Sequence, residues 1–156
     1  MYFINLEKIK NPQDVLFVGY GRDSKNGNKR LLTAILRDGT TIPITKPQGV
    51  LTCPIEPIAE FKNAVGSMYM DNFAPINLFG VIQYCVNKDY FERFSFKKSE
   101  KNSKFTEVNV IFNNKSKFHF CNIRERGLEQ GKTQLLGLQK AIKQYQIEKN
   151  ENELGK

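Results

Sequence analysis

The chain has few of the residues that most often build metal and catalytic centres. Its 156 residues include one histidine, three cysteines and no tryptophan. Cys53, Cys85 and Cys121 are widely separated and follow no CxxC or Cys/His spacing. With His119 as the one histidine, a zinc site would need an unusual ligand set. We therefore predict no metal and no cofactor, and the odd number of thiols indicates buried cysteines in a reducing compartment.

Signatures of phosphate-binding and nucleolytic enzymes are also missing. No GxxxxGK[ST] motif occurs, and residues 19–24 (GYGRDS) lack the third glycine of a dinucleotide fingerprint. Gly131-Lys132-Thr133 has no upstream glycine at the required spacing, although its position before a predicted helix is compatible with phosphate at a helix N-terminus. His119 and Cys121 are two apart on one predicted strand without a third partner, and the acids form no nuclease cluster. We therefore predict a non-enzymatic protein without catalytic residues.

Long apolar runs are absent as well. No stretch approaches the roughly 20 residues of a membrane helix. The N-terminal MYFINLEKIK lacks the basic lead, apolar core and cleavage site of a signal peptide. We expect an intracellular protein, cytoplasmic or in the nucleoid or nucleus, with no membrane partner. Hydrophobic residues make up 40% of the chain, which is enough for the packed core of one domain.

The most informative feature present is a pattern that occurs in both halves of the chain. Residues 28–44 (NKRLLTAILRDGTTIPI) match residues 104–120 (KFTEVNVIFNNKSKFHF) in their apolar positions and in the turn between them. Further on, after a shift by one position, the apolar positions of two helical patterns match: Ile58, Phe61, Ala64 and Val65 meet Leu135, Leu138, Ala141 and Ile142. We predict one globular unit (1–156) with repeat 1 at 11–70, repeat 2 at 87–147 and a flexible tail at 148–156.

Each repeat is predicted to contain three or four strands followed by a helix. Alternating apolar residues and turn signals place the strands at 15–20, 30–36 and 41–44, then at 90–96, 106–112 and 117–123. The helices are expected from Pro54 to about Met68 and from Gln134 to about Glu148. Residues 72–86 are ambiguous between a helix starting at Pro75 and another strand. The fold class is therefore α+β, with two tandem β-β-β(-β)-α repeats in a pseudo-twofold unit whose antiparallel sheets are backed by helices.

The net charge of +8 is concentrated in the second half. Residues 1–75 carry nine Lys/Arg against seven Asp/Glu, whereas residues 76–156 carry fifteen against nine. If the alternate apolar residues of the strands face the helices, an outer face remains that carries Arg93, Lys97, Lys117 and His119, and in the first repeat Phe17 and Arg37. A cationic face favours a polyanion such as nucleic acid. A polar outer face is also the ordinary state of a half-buried antiparallel sheet.

Two stretches resemble families that bind single-stranded nucleic acid. Residues 52–69 (TCPIEPIAEFKNAVGSMY) resemble the end of a purine-rich-element-binding (PUR) repeat. Residues 118–142, from FHFCNIRERG to QGKTQLLGLQKAI, are similar to the strand-to-helix pattern of p15-type transcriptional coactivators. The chain thus resembles the PUR-repeat, Whirly and p15-type group in pattern. Its turns RDGTT and NNKSK lack the glycine-arginine hairpin of PUR repeats, so the resemblance extends to fold and ligand class and not to individual contacts.

The resemblance implies binding of single-stranded DNA or RNA. Such a ligand needs cations along its phosphates and flat side chains under its bases, each stack worth about 1–3 kcal/mol. The candidates are Arg93, Lys97, Arg37 and Lys117 for charge, Phe17 and His119 for stacking, and Lys29, Arg30, Lys101 and Lys104 for clamping from equivalent loops.

The same residues and segments also have other interpretations. Loop lysines are commonly just solvated, and Phe17 belongs to the core if the register shifts by one residue. The alternative function is a protein-interaction module, a small regulator or inhibitor that uses residues 72–86 or the outer sheet. Homodimerisation is also open.

Overall fold

The computed structural model describes residues 14–23, 29–43 and 72–154, and the chain divides into two compact units. Unit 1 comprises Met1–Ile76 and Val81–Asn87, and unit 2 comprises Asn77–Gly80 and Lys88–Lys156. The described residues form an α+β fold with two antiparallel sheets and a C-terminal helix. The helix predicted for the first repeat lies outside the described residues.

The first sheet has five strands and lies in unit 1, except for the last two residues of its fourth strand. Its strands are β1 (Val15–Asp23), β2 (Lys29–Leu36), β3 (Thr41–Pro43), β4 (Phe73–Leu78) and β5 (Val81–Asn87), in the order β3-β2-β1-β5-β4. The predicted Asp38-Gly39 hairpin is present: Gly39 has a φ of 89°. The Thr40 N–H donates to Asp38 Oδ1 at 2.8 Å, and hydrogen bonding from Thr40 lowers the pKa of that carboxyl. The turn signal in the sequence therefore identified the β2–β3 connection correctly.

The ambiguous stretch at 72–86 is a hairpin, so the helix considered for it is not formed. Phe79 and Gly80 both have positive φ (53° and 79°), as the two central residues of a type I′ turn require. Pro75 lies in β4, an edge strand among the described strands, and edge strands are where sheets tolerate proline. The sequence left this hairpin unresolved because phenylalanine rarely takes the first central position of such a turn.

Unit 2 is a three-stranded sheet with one long helix. Its strands are β6 (Phe91–Lys98), β7 (Phe105–Phe112) and β8 (Lys117–Arg124), followed by a 3-10 turn (Glu125–Gly127) and helix α1 (Leu128–Leu154). The helix begins before the predicted Gln134 and continues through most of the expected tail. Gly131-Lys132-Thr133 therefore lies inside α1, and the Thr133 hydroxyl donates to Glu129 O at 2.9 Å. The idea that these three residues precede the helix and hold a phosphate at its N-terminus was wrong.

The core of unit 2 lies between α1 and one face of the sheet. Leu135 and Ile142 of α1 are buried together with Phe94, Val110 and other apolar residues of the strands. Ala141, predicted on the buried face of the helix, is exposed instead. Because the apolar stripe on α1 is narrow, only part of the helical pattern faces the sheet.

Polar contacts anchor the C-terminal half of α1. Asp89 Oδ1 accepts hydrogen bonds from Tyr145 Oη at 3.0 Å and Lys149 Nζ at 2.8 Å. The hydrogen bond to Asp89 raises the pKa of Lys149, whereas burial is the main cause that raises the pKa of Tyr145. The Lys88 ammonium lies 4.0 Å from the centre of the Tyr145 ring. These contacts extend the docked part of the helix beyond its apolar stripe.

The meanders β1–β3 and β6–β8 have the same internal pairing at equivalent positions of the sequence alignment. The central pairs are Val18↔Ala34↔Ile42 in the first and Phe94↔Val110↔Phe118 in the second. Both first strands are bulged at the same place, between Val15 and Phe17 and between Phe91 and Arg93. Over the pairs described for both meanders, the strand registers and the bulge in the first strand thus match the sequence alignment.

The turns that close the two meanders are equivalent as well. Leu36 N–H donates to Thr40 O at 2.8 Å, and Phe112 N–H donates to Ser116 O at 3.0 Å. The residue of positive φ is Gly39 in the first turn and Lys115 (φ 72°) in the second. Asn114 Oδ1 accepts from Ser116 N–H at 2.9 Å, as Asp38 does from Thr40. The same local geometry is therefore built from different residues.

Candidate nucleic-acid interface

The face of the β6–β8 sheet opposite α1 brings together four of the predicted site residues. Three cross-strand rows define it: Arg93↔Ile111↔Lys117, Ser95↔Asn109↔His119 and Lys97↔Glu107↔Asn122. Arg93, Lys97, Lys117 and His119 are all exposed. We call this surface, with Phe105 and Arg124 in the next row, the outer face of unit 2. It is a polar and mainly cationic sheet surface, as the strand alternation predicted.

A bulge in β8 changes the position of one cysteine. The register shifts between Val108↔Cys121 and Asn109↔His119, so β8 has one extra residue there. Cys121 therefore shares a side with the buried Val108 and not with His119, contrary to the simple alternation. Burial raises the pKa of the Cys121 thiol to about 12, which keeps it protonated at neutral pH.

One end of the outer face carries a cationic cavity that the sequence patterns did not predict. Lys104, Phe105, Arg124, Glu125 and Arg126 line it, and its volume is about 530 Å³. The Arg124 guanidinium lies 5.7 Å from the centre of the Phe105 ring. Extending the predicted strands 106–112 and 117–123 by one residue would have revealed the Phe105↔Arg124 pair, since alternation places both on the outer face.

The loop between β6 and β7 is held by hydrogen bonds. Ser99 N–H donates to Phe105 O and Phe105 N–H donates to Asn102 O, each at 3.0 Å. Asn102 Oδ1 accepts from Lys104 N–H at 3.0 Å. This loop carries Lys101 and Lys104 beside the outer face, so these two lysines, predicted to clamp a strand, belong to a hydrogen-bonded turn.

Most cations of this surface form no ion pair within the described residues. Lys97 is the exception: its Nζ lies 3.5 Å from Glu100, and both side chains are exposed, so the pair is weak. No salt bridge among the described residues involves Arg93, Lys101, Lys104, Lys117, Arg124 or Arg126. Within the described residues these six side chains are therefore not held in ion pairs and are available to an anionic ligand.

The site residues predicted in the first half of the chain have other positions. Phe17 is 3% exposed and stacks on Tyr84 of β5 with ring centres 4.8 Å apart. Its outward, ligand-facing placement was wrong, because β1 lies between β2 and β5 and Tyr84 covers that side of β1. Arg37 is exposed and lies 3.6 Å from Asp14 in unit 1. The side chains of Lys29 and Arg30 lie outside the described part of the chain.

The described ranges 14–23, 29–43 and 72–154 offer no cluster of metal ligands. They contain no group of three or more His, Cys, Asp or Glu side chains arranged to hold a metal ion. No helix in these ranges has both the length and the apolar character needed to cross a membrane.

No protein-family model, curated protein or solved structure matches the chain.

Proposed function

We propose that the protein binds single-stranded nucleic acid, DNA or RNA, on the outer face of unit 2, without catalysing a reaction. The observation that carries the proposal is the clustering of unpaired cations around one sheet face. Arg93 and Lys117 lie at one end, Lys101 beside the middle, and Arg124 and Arg126 at the other end. A strand laid across this face meets cations at both ends and beside the middle of its path.

Flat side chains on the same surface supply the second requirement of a single-strand binder. Phe105 lines both the 530 Å³ cavity and a neighbouring one that contains His119. A base stacked on Phe105 lies next to the guanidinium of Arg124, which can contact either the base or its phosphate. Stacking is tolerant of base identity because every base has a π-face. Phe105 replaces Phe17 as the aromatic residue of the proposed interface.

The proposal is tested by titrating a labelled single-stranded oligonucleotide at several salt concentrations. We expect the logarithm of the association constant to fall linearly with the logarithm of salt concentration, with a slope of about 0.7 per phosphate contact. The substitution Lys117→Ala should lower the magnitude of that slope by about 0.7, which corresponds to a loss of affinity of about fivefold near 0.1 M salt. The decrease should be similar for every oligonucleotide sequence, since Lys117 meets a phosphate.

The matched control is Lys140→Ala. Lys140 is exposed on α1, away from the outer face, and its removal changes the net charge by the same amount. We expect it to leave affinity and slope unchanged. Binding that is independent of salt, or absent at micromolar protein, contradicts the proposal. Equal effects of the two substitutions would show that net charge alone, and not the outer face, attracts the ligand.

The alternative is a protein-interaction module that uses residues 72–86 or the outer sheet, and its use of residues 72–86 has less support. Phe73, Ala74, Ile76, Cys85 and Val86 of this segment are buried and therefore not accessible to a partner, although Phe79 in the turn is exposed. Co-purification of a protein partner after nuclease treatment, without affinity for oligonucleotides, would favour this alternative over nucleic-acid binding.

We also propose that the chain is an internal duplication related to the PUR-repeat, Whirly and p15-type group. The matching registers, bulges and turns of β1–β3 and β6–β8, at the positions that the sequence alignment pairs, support two tandem repeats. The charged residues of the outer face are not repeated, since the counterpart of Arg93 is the buried Phe17. The second repeat is therefore the proposed binding half.

A further inference from the structure

A second cavity lies in the middle of the outer face of unit 2. Its floor is formed by Glu107, Asn109, His119 and Asn122 of β7 and β8, and the β6–β7 loop and Phe105 form its wall. Its volume is about 490 Å³, which is within the range of small-ligand pockets and accommodates one nucleobase.

The polar group at the bottom of this cavity is a buried amide. Asn109 is 6% exposed and lies in the centre of the sheet, between Ser95 and His119 on the neighbouring strands. Its flanking residues Val108 and Val110 face the core, so its own side chain faces the cavity. The amide forms no side-chain hydrogen bond within the described residues. A buried amide without a partner in the protein is rare, so the donors and the acceptor of Asn109 are available to a molecule in the cavity.

The cavity also contains a carboxylate that is available to a ligand. Glu107 forms no ion pair in the described part of the chain, because Lys97, which lies opposite it on β6, contacts Glu100 instead. An ionised carboxylate only accepts hydrogen bonds. It therefore attracts the exocyclic amino group of adenine, cytosine or guanine and repels the carbonyl groups that flank the single N–H of thymine or uracil.

We propose that this cavity binds one unstacked nucleobase that carries an exocyclic amino group. The inference rests on the proposed function, which it makes more specific. Glu107 accepts from the amino group, and the Asn109 amide pairs with the adjacent ring acceptor or carbonyl. Lys101 at the rim neutralises the neighbouring phosphate. The outer face thus binds the backbone without sequence preference, and this one cavity discriminates against thymine and uracil.

The test compares two labelled oligonucleotides of equal length by fluorescence anisotropy: oligo(dT), and the same strand with a single central dC. We expect the wild-type protein to bind the dC strand at least about fivefold more tightly, which is the lower limit of the discrimination one good base contact gives. Glu107→Gln should abolish most of the difference, chiefly by improving affinity for oligo(dT). Asn109→Ser should reduce affinity for the dC strand. Lys117→Ala should weaken binding to both strands equally and keep their ratio.

The outcomes separate the inference from the proposed function. Equal affinity of the wild-type protein for both strands, with salt-dependent binding retained, overturns the base pocket and leaves the single-strand interface intact. A preference that survives Glu107→Gln also overturns it, because the discrimination then comes from elsewhere. Absence of binding to either strand overturns both. Since Glu107 is partly exposed and its replacement is close in shape, the Gln variant is expected to fold.

Discussion

Gly19 lies inside strand β1 and Gly137 inside helix α1. The neighbouring side chains leave no room for a larger residue at Gly19, whereas Gly137 has open space around it. A Cβ at Gly19 would collide with the ring of Tyr84, which lies opposite on β5 and stacks on Phe17. A Cβ at Gly137 in α1 would meet nothing within 4 Å. The missing side chain of Gly19 therefore makes the space that lets Tyr84 cover β1.

We expect Gly19→Ala to lower the free energy of unfolding by about 1–3 kcal/mol, since the Tyr84 ring must move and leave its stack. Gly137→Ala should raise it by about 0.5–1 kcal/mol, because alanine is the better helix former at an open position. Urea unfolding followed by circular dichroism measures both. Shifts of the two midpoints in the same direction would contradict this assignment of roles.

Single residues of the outer face were predictable where side-chain alternation is undisturbed. Arg93, Lys97 and Lys117 were identified in this way and are exposed on one face. Phe17 was not, although it obeys the same alternation, because its environment depends on Tyr84, which belongs to a strand far away in the chain. Alternation predicts which side chains share a face of a strand. It does not predict whether another part of the protein covers that face.

The long helix of unit 2 protects the edge of β6 with glutamine side chains. The Phe94 N–H donates to Gln139 Oε1 at 2.8 Å, and Gln146 Nε2 donates to the carbonyls of Phe91 and Lys88, each at 2.7 Å. Among the described strands, β6 pairs with β7 alone. Gln139 and Gln146 therefore bond to backbone groups of β6 that β7 does not pair. An uncovered edge would be a template for pairing with another chain.

We expect Gln139→Ala to lower the free energy of unfolding by about 1–2 kcal/mol, because the buried Phe94 N–H loses its acceptor. Gln144→Ala is the matched control on the same helix. The Gln144 side chain is exposed and donates to Glu148 at 3.1 Å, so its loss should change stability by less than about 0.5 kcal/mol. Chemical denaturation of both variants makes the comparison, and equal stabilities would contradict the role of Gln139.

At the level of elements, local sequence signals predicted most strands correctly. They did not predict the β4–β5 hairpin, which is held in part by a residue far away in the sequence. The Asp38-Gly39 turn and the apolar face of α1 around Leu135 and Ile142 were readable, since both arise from neighbouring residues. The β4–β5 hairpin was not, because Phe79 is an atypical turn residue. The backbone N–H of Phe79 donates to Gln134 Oε1 of α1 at 2.9 Å. This contact helps to hold the turn, and because Gln134 is far away in the sequence, no local pattern predicts it.

For the whole molecule, the two meanders share their pairing while their exposed residues differ. The outer face of unit 2 carries the unpaired cations, whereas the equivalent side of β1 in unit 1 holds Phe17 against Tyr84. The net charge of +8 is correspondingly concentrated in the second half of the sequence. Under the proposed duplication, both halves have kept the core pattern and the second has kept a ligand-accessible sheet face.

We therefore expect the two arginines Arg93 and Arg37 to contribute unequally to binding. Each substitution by alanine removes one positive charge, but Arg93 lies on the outer face and Arg37 contacts Asp14 in unit 1. Arg93→Ala should weaken oligonucleotide binding about fivefold near 0.1 M salt, and Arg37→Ala should have little effect. Anisotropy titrations measure both. Equal losses would show that unit 1 also contacts the strand.

Local sequence patterns were enough to establish the α+β class, the strand-and-turn order of both meanders and the cationic side of the second, because these depend on residues within a few positions of one another. Which sides are covered depends on long-range packing: β5 beside β1 buries Phe17, and α1 beside β6 leaves the opposite face open. The β6–β7 loop, in turn, forms a cavity with Glu107, Asn109 and His119 of the adjoining strands. The burial of Phe17 depends on an element far away in the chain, and no local pattern of residues encodes it.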